Sequence, residues 1–187
     1  MIDEARLDGT GHGLVPAGHG WFVLNARDAQ WRHREGRDSV SFTGATDYEA
    51  ETYFPRLGVN LVVVEPGEAT TFYHWEAHQE AYLVLSGEGL LIVEGQERPL
   101  RRWDFVHLPP GTGHTVVGAG SGPCAVLAMS SREHLTEPCG GGAYTVDETA
   151  RRHGASADAE TSDSSVAYAR LPAAEPARYR DGLLPGD

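Results

Sequence analysis

Short apolar runs separated by turn residues dominate the middle of the chain. The run at 59–65 is rich in β-branched residues and ends at Pro66-Gly67, which is typical of a buried strand followed by a turn. Similar runs predict further strands at 80–85, 90–93, 105–108, 114–117 and 125–129. Strands this short, at this spacing, favour an antiparallel sandwich or barrel over alternating strands and helices. The pattern therefore predicts an all-β fold.

Before this region the pattern is weaker. The glycine-rich stretch 1–20 predicts irregular structure, and 21–24 predicts a first short strand. A second short strand is predicted at 40–42, while 48–54 is ambiguous. We therefore expect an N-terminal extension over 1–19 and the barrel over 20–131.

The character of the chain changes again after Ser131. Thr145 is followed three residues later by Glu148, which resembles a capping box and predicts a short helix to about 153. A second candidate helix covers 164–171. We expect 132–187 to be a C-terminal extension with one or two short helices, partly ordered against the barrel and frayed at its end.

Composition narrows the possible functions. The net charge of −12 argues against nucleic acid and anionic membranes as partners. No run of about 18 apolar residues could cross a membrane, and no apolar N-terminal segment suggests secretion, so a cytoplasmic protein is expected. Cys124 and Cys139 are interpreted as free thiols. All basic residues are arginine, which excludes Schiff-base catalysis and indicates a high-GC bacterial genome.

Candidate metal ligands fall at every second position of one segment, at His74, Glu76, His78 and Glu80. On one continuous strand they would share a face, but His74 and Glu80 would then lie about 20 Å apart. One ion, with ligand bonds of about 2.0–2.2 Å, cannot reach both. If these residues bind one ion, the chain must therefore turn between Glu76 and Glu80, with His78 solvated in the turn; a shift in register would instead make His78 a ligand. A second imidazole is available at His114, which follows a proline-glycine turn.

These residues resemble the two sequence motifs of the cupins. Gly67, the segment 74–80 and Gly87 look like the first motif, and 103–104 with 109–114 look like the second. The longer stretches 83–114 and 144–172 are similar to bacterial cupins with N- and C-terminal extensions. The resemblance implies a jelly-roll barrel, the cupin double-stranded β-helix, with a short helical tail. It also implies one divalent ion, with His74, Glu76, Glu80 and His114 as its ligands.

Three positions depart from the family pattern. Glu76 stands where a histidine is usual, Trp103 where a glycine is usual, and Gly118 where an asparagine is frequent. If Glu76 is a ligand, the harder donor set favours Fe(II) or Mn(II), with Zn, Ni and Co still possible. If it is not, two histidines and Glu80 form the triad of non-haem Fe(II) oxygenases, and Glu76 becomes a catalytic base.

Alternation also predicts which aromatic side chains face the pocket. Phe72 lies two positions from His74, and Tyr82 lies two positions from Glu80. On a strand, residues two apart point to the same face, so both aromatic side chains are expected to line the pocket. Val116 is expected to line it as well. Tyr73 and Trp75 would point outward and need cover from a dimer partner or the N-terminal extension, which favours a homodimer.

The functional expectation is a metalloenzyme acting on a small organic molecule, with an oxygenase favoured. A metal-dependent isomerase or cyclase is the first alternative, and a non-catalytic small-molecule sensor is the second. A metal-free epimerase-like barrel with a histidine base is a third, against which the acidic ligand set argues. Fold alone does not choose among these.

Overall fold

Residues 3–17, 20–43, 56–132 and 141–186 are described by the computed structural model of this chain. The strands are β1 Arg6–Thr10, β2 Gly13–Ala17, β3 Trp31–Arg34, β4 Arg37–Ser41, β5 Leu57–Val64, β6 His74–Glu76, β7 Glu80–Ser86, β8 Glu88–Val93, β9 Gln96–Arg101, β10 Phe105–Leu108, β11 His114–Ala119, β12 Cys124–Ser131, β13 Gly142–Tyr144 and β14 Glu175–Ala177. Two short helices follow β13, α1 Glu148–Arg152 and α2 Ser164–Ala167. The ambiguous segment 48–54 and Cys139 lie outside the described residues.

Two antiparallel sheets form the barrel. One has seven strands in the order β10-β7-β12-β5-β4-β3-β14, and the other has five in the order β13-β6-β11-β8-β9. Apolar side chains from both sheets meet between them, including Val62, Val84 and Val126 from the larger sheet and Leu91 and Val116 from the smaller one. The expected all-β jelly-roll fold is confirmed.

The central strand β5 is apolar on both faces because both faces are covered. Val62 and Val64 point into the core between the sheets. Leu61 and Val63 point outward into a second cluster around Trp31, which is fully buried. Double coverage explains why this strand shows a continuous apolar run rather than alternation.

The N-terminal predictions need correction. Residues 6–17 are not irregular, because β1 and β2 pair as a hairpin from Arg6 opposite Ala17 to Thr10 opposite Gly13. The predicted strand at 21–24 is wrong, since only Trp21 forms an isolated bridge, to Glu4. This short apolar run finds no neighbouring strand to pair with among the described residues. The prediction at 40–42 is confirmed as part of β4.

The C-terminal tail is built into both sheets. β13 pairs with β6 in the smaller sheet, and β14 pairs with β3 in the larger one. The expected capping box does not form, because Asp147 caps α1 by accepting a hydrogen bond from Ala150 N at 2.8 Å. The helix therefore begins later than expected, and α2 ends at Ala167 rather than at 171.

The outward-facing aromatic side chain of Tyr73 is covered by this tail. Tyr73 is buried in a cluster with Ile92, Val117, Ala150 and Ala155. Neither a partner subunit nor the N-terminal extension is needed to cover Tyr73, whereas Trp75 is half-buried. The homodimer stays a prediction. In the described part of the chain, no helix has the length and apolarity required to cross a membrane.

Candidate metal centre

The turn between the candidate ligands is present as predicted. β6 ends at Glu76, the chain crosses from the smaller to the larger sheet over 77–79, and β7 begins at Glu80. His114 is the first residue of β11 and lies directly opposite His74 in the antiparallel register. Side chains from two facing sheets therefore converge on one point.

Three predicted ligands form a compact cluster. One ligand atom from each of His74, Glu80 and His114 lies within 4.8 Å of the others. Glu80 Oε2 is 3.3 Å from His114 Nε2 and 4.0 Å from His74 Nε2. The two imidazole rings lie 4.7 Å apart between centroids. These spacings allow one cation to contact all three side chains.

Both imidazoles are held in the form that binds metal. His74 Nδ1 donates to the carbonyl of Phe72, and His114 Nδ1 donates to that of Thr112, each at 2.9 Å. A carbonyl only accepts, so Nδ1 carries the hydrogen and Nε2 keeps its lone pair toward the cluster. Burial lowers the pKa of His74 to about 4 and also lowers the pKa of His114. Neutral imidazoles therefore face Glu80, and the donor set fits a divalent ion.

The carboxyl group of Glu80 is also perturbed by its surroundings. Burial, and then the charge of Glu76, raise the pKa of Glu80 to about 8. The charge of Glu76 thus acts on Glu80, and the repulsion between the two carboxylates is relieved by a cation or a proton. A divalent ion in the cluster would offset both negative charges.

Glu76 lies beside the cluster rather than within it. Its Oε1 is 3.9 Å from His74 Nε2, and its Oε2 is 3.7 Å from His78 Nε2. The side chain lines the same cavity and is 31% exposed. Burial raises its pKa, although the positive charge of Arg132 acts in the opposite direction. This position suits proton transfer as well as a more distant ligand role.

His78 is buried, contrary to the expectation that it would be solvated in the turn. Only 5% of the residue is exposed. The start of the tail covers it, since a Cβ on Gly141 would lie 3.5 Å from His78 Cε1 and 2.8 Å from Ala77 Cβ. The local pattern around 74–80 contains no sign of this contact, because the covering residues lie far away in sequence.

A cavity of about 420 Å³ opens next to the cluster. Tyr82 lines it as predicted, with its hydroxyl 2.8 Å from His114 Nε2. Burial raises the pKa of Tyr82 well above its ordinary value, so the hydroxyl stays protonated and donates. Tyr144, which sequence reasoning missed, also lines the cavity, and its ring lies 5.8 Å from that of His74.

The other two predicted pocket residues lie elsewhere. Val116 is fully buried in the apolar core between the sheets and is not among the residues lining the cavity. Phe72 faces the tail, where it stacks on Tyr168 with ring centroids 4.7 Å apart. The parity argument for Phe72 was wrong because β6 begins only at His74, so alternation does not extend back to it.

Tyr168 connects the tail to the segment before His74. Its hydroxyl accepts a hydrogen bond from Phe72 N at 2.9 Å and shares one of 2.6 Å with Thr71 Oγ1. The carbonyl of the same Phe72 accepts from His74 Nδ1. The tail is thus in contact with the residue that orients a candidate ligand.

An antiparallel jelly-roll barrel that gathers two imidazoles and a carboxylate beside an internal cavity defines the cupin class of proteins. Residues 60–130 match the Cupin_2 family, described as a cupin domain. This part of the chain is a cupin domain, and the resemblance of its two motifs to those of the cupins is confirmed.

Individual relatives match only parts of their sequences. Mannose-1-phosphate guanylyltransferase of Klebsiella pneumoniae is 30% identical over 113 residues, covering 60% of this chain and 23% of that protein. The chain thus spans about a quarter of that curated relative's length. A sugar phosphate isomerase of the cupin superfamily from Silicibacter pomeroyi aligns at 27% identity, over 53% of this chain and 61% of that chain, with a TM-score of 0.45. A cupin-like protein of Thermotoga maritima aligns at 24% identity, over 56% and 74%, with a TM-score of 0.46.

Proposed function

We propose that this cupin is a metal-dependent enzyme that acts on a small organic molecule in the cavity beside His74, Glu80 and His114. The observation that carries the proposal is the pair of neutral Nε2 atoms facing one buried carboxylate within 4.8 Å. Both imidazoles are fixed by backbone carbonyls, which is the usual support of metal-binding histidines.

The three side chains would hold one divalent ion, which supplies Lewis acidity or a binding position for O₂. Without an ion, the Tyr82 hydroxyl donates to His114 Nε2. An ion bound at Nε2 would take that lone pair, and the hydroxyl would then donate to the bound molecule instead. Glu76 is placed to accept or return a proton in the cavity. The apolar core beneath the cluster limits the access of water from below.

An Fe(II) or Mn(II) oxygenase is the first candidate. With Glu76 beside the cluster, the compact ligand set is two histidines and one carboxylate, the arrangement typical of non-haem Fe(II) oxygenases. This set leaves coordination positions for substrate and O₂. No redox-active side chain is required for that chemistry.

A metal-dependent isomerase or cyclase is the second candidate, and Glu76 is the observation that favours it. A carboxylate whose pKa is raised by burial is a better base near neutral pH than an ordinary glutamate. Both reaction classes need such a group to move a proton on the substrate. The two candidates therefore differ in what Glu76 does during turnover.

Metal analysis is the first test. Protein purified without a histidine tag and then reconstituted should hold about one divalent ion per chain, since all three ligands are in place. His114→Ala should lose it, while His107→Ala, at an exposed position on β10, should keep it. A wild-type protein that binds no ion after reconstitution would overturn the proposal.

Glu76→Gln separates the candidate roles of that residue. Retained metal with lost turnover indicates proton transfer, whereas lost metal indicates a ligand. Oxygen uptake by the Fe(II) protein with a substrate panel identifies an oxygenase, and exchange of substrate hydrogen with solvent deuterium identifies an isomerase. Ligand binding without turnover under every metal would favour the sensor instead.

A further inference from the structure

The cavity beside the metal centre is also lined by arginine. Arg37 on β4 donates from Nε to the carbonyl of Thr70 at 2.8 Å and from Nη1 to Ser39 Oγ at 3.0 Å. These bonds fix the guanidinium between the larger sheet and the segment that leads to β6. No described residue accepts a hydrogen bond from Nη2. One side of the guanidinium therefore remains available to a ligand.

A second space adjoins this cavity and carries more positive charge. It measures about 670 Å³ and lies between β3, β4 and the tail around 164–174. Arg32, Arg34 and Arg37 line it, and its described lining includes no acidic residue. Arg32 and Arg37 line both spaces, so a molecule entering through the second space passes between guanidinium groups. This concentration of positive charge stands out in a chain with a net charge of −12.

The neighbouring acidic residue does not neutralise this charge. Asp38 lies next to Arg37 on β4, where successive side chains point to opposite faces. It is buried on the other face and is bound by His33 Nδ1 at 2.9 Å and by Arg180. Inside the cavity, Glu76 and Glu80 would balance a divalent ion, which leaves the arginine charges without an acidic counterpart among the lining residues.

We propose that the molecule bound in this cavity is a small organic anion whose phosphoryl or carboxylate group binds Arg37, with Arg32 beside it. The inference rests on the proposed function, because it takes the cavity at the metal centre as the substrate site. A fixed guanidinium fork recognises the paired oxygens of an oxyanion. Three arginines along one opening also raise the local concentration of anions.

Three probes with the same ring test the inference: phenyl phosphate, benzoate and the neutral benzamide. Calorimetric titration of the metal-loaded and metal-free proteins should show that one or both anions bind more tightly than benzamide. Tighter binding of phenyl phosphate indicates that the natural ligand carries a phosphoryl group, and tighter binding of benzoate indicates a carboxylate. Arg37→Gln should weaken anion binding at least about tenfold, and Arg37→Lys should weaken it less, because charge remains without the fork. Benzamide binding should not change.

Arg98→Gln, at an exposed position on β9, is the matched control and should bind the anions like the wild type. Should Arg37→Gln fail to fold, as judged by circular dichroism, Arg32→Gln and the ionic-strength dependence of wild-type binding provide the same test. The inference is overturned if benzamide binds as well as the anions, or if the folded arginine variants bind the anions normally. Metal content measured on the same samples keeps the two proposals apart. A protein that holds its full metal but shows no preference for anions overturns only this inference. A wild-type protein that prefers anions but takes up no ion after reconstitution overturns only the proposed function.

Discussion

The hydroxyl of Tyr168 is one of the points at which the C-terminal tail contacts the segment preceding His74. Replacing it by Tyr168→Phe keeps the ring that stacks on Phe72 and removes only the oxygen. That oxygen accepts the hydrogen bond of Phe72 N and shares another with Thr71. The substitution therefore leaves a buried peptide N–H without its acceptor.

The magnitude follows from that unpaired group. A buried donor that loses its partner costs about 1–3 kcal/mol in the free energy of unfolding. For a chain of this size, each kcal/mol lowers the midpoint of thermal unfolding by about 2–4 °C, so we expect a fall of about 2–12 °C. Phe72 also supplies the carbonyl that orients His74. Loss of a group that orients a metal ligand weakens metal affinity about 10–100-fold. Tyr168→Phe acts on His74 only through Phe72, so we expect metal affinity to fall about tenfold.

Two measurements check the expectation: thermal unfolding of the metal-free protein, and metal affinity by competition with a chelator. Tyr179→Phe is the matched control. Tyr179 is also in the tail, and its hydroxyl accepts from Leu184 N at 3.3 Å, but it packs on Trp31, away from the cluster. It should affect stability without changing metal affinity. An unchanged midpoint for Tyr168→Phe, or an equal loss of affinity in both variants, would refute the reasoning.

Three further predictions concern single positions. Trp103 is largely exposed and has a φ of 75°, a conformation that strains any residue with a Cβ. Trp103→Gly should therefore be about 1 kcal/mol more stable than Trp103→Ala in urea unfolding, and equal stabilities would show that the backbone is not strained there. A Cβ on Gly118 would lie 2.3 Å from the carbonyl oxygen of Glu65, so Gly118→Ala should lose about 1–3 kcal/mol, and a neutral result would show that the backbone yields easily. Cys124 is fully buried and burial raises its pKa to about 11, so in a Cys139→Ser background its alkylation at pH 8 should be at least about 100-fold slower in the folded than in the unfolded protein; equal rates would show that the thiol is accessible.

Local patterns in the sequence were enough to predict the barrel and the core of the site. The apolar runs of β5, β7, β11 and β12 were recognisable because burial between two sheets leaves a dense β-branched signature. The turn between Glu76 and Glu80 followed from bond lengths once the two residues were taken to bind one ion, since one ion cannot reach both ends of an extended segment. The resemblance to the two cupin motifs then indicated His74, Glu80 and His114 together, and these three side chains do form one cluster.

Only the tertiary structure decided how the site is enclosed. Tyr144 and Tyr168 reach the site from a tail that showed weak local signals, and Phe72 turns toward that tail because no strand extends back to it. His78 is buried by Gly141, and Arg37 comes to the cavity from a strand outside both motifs. Such contacts join residues far apart in sequence, and they depend on how strands pair and cross between the two sheets. The alternation of apolar and polar residues along a strand predicts which of its faces is buried. Which segment covers that face depends on tertiary packing between residues far apart in sequence.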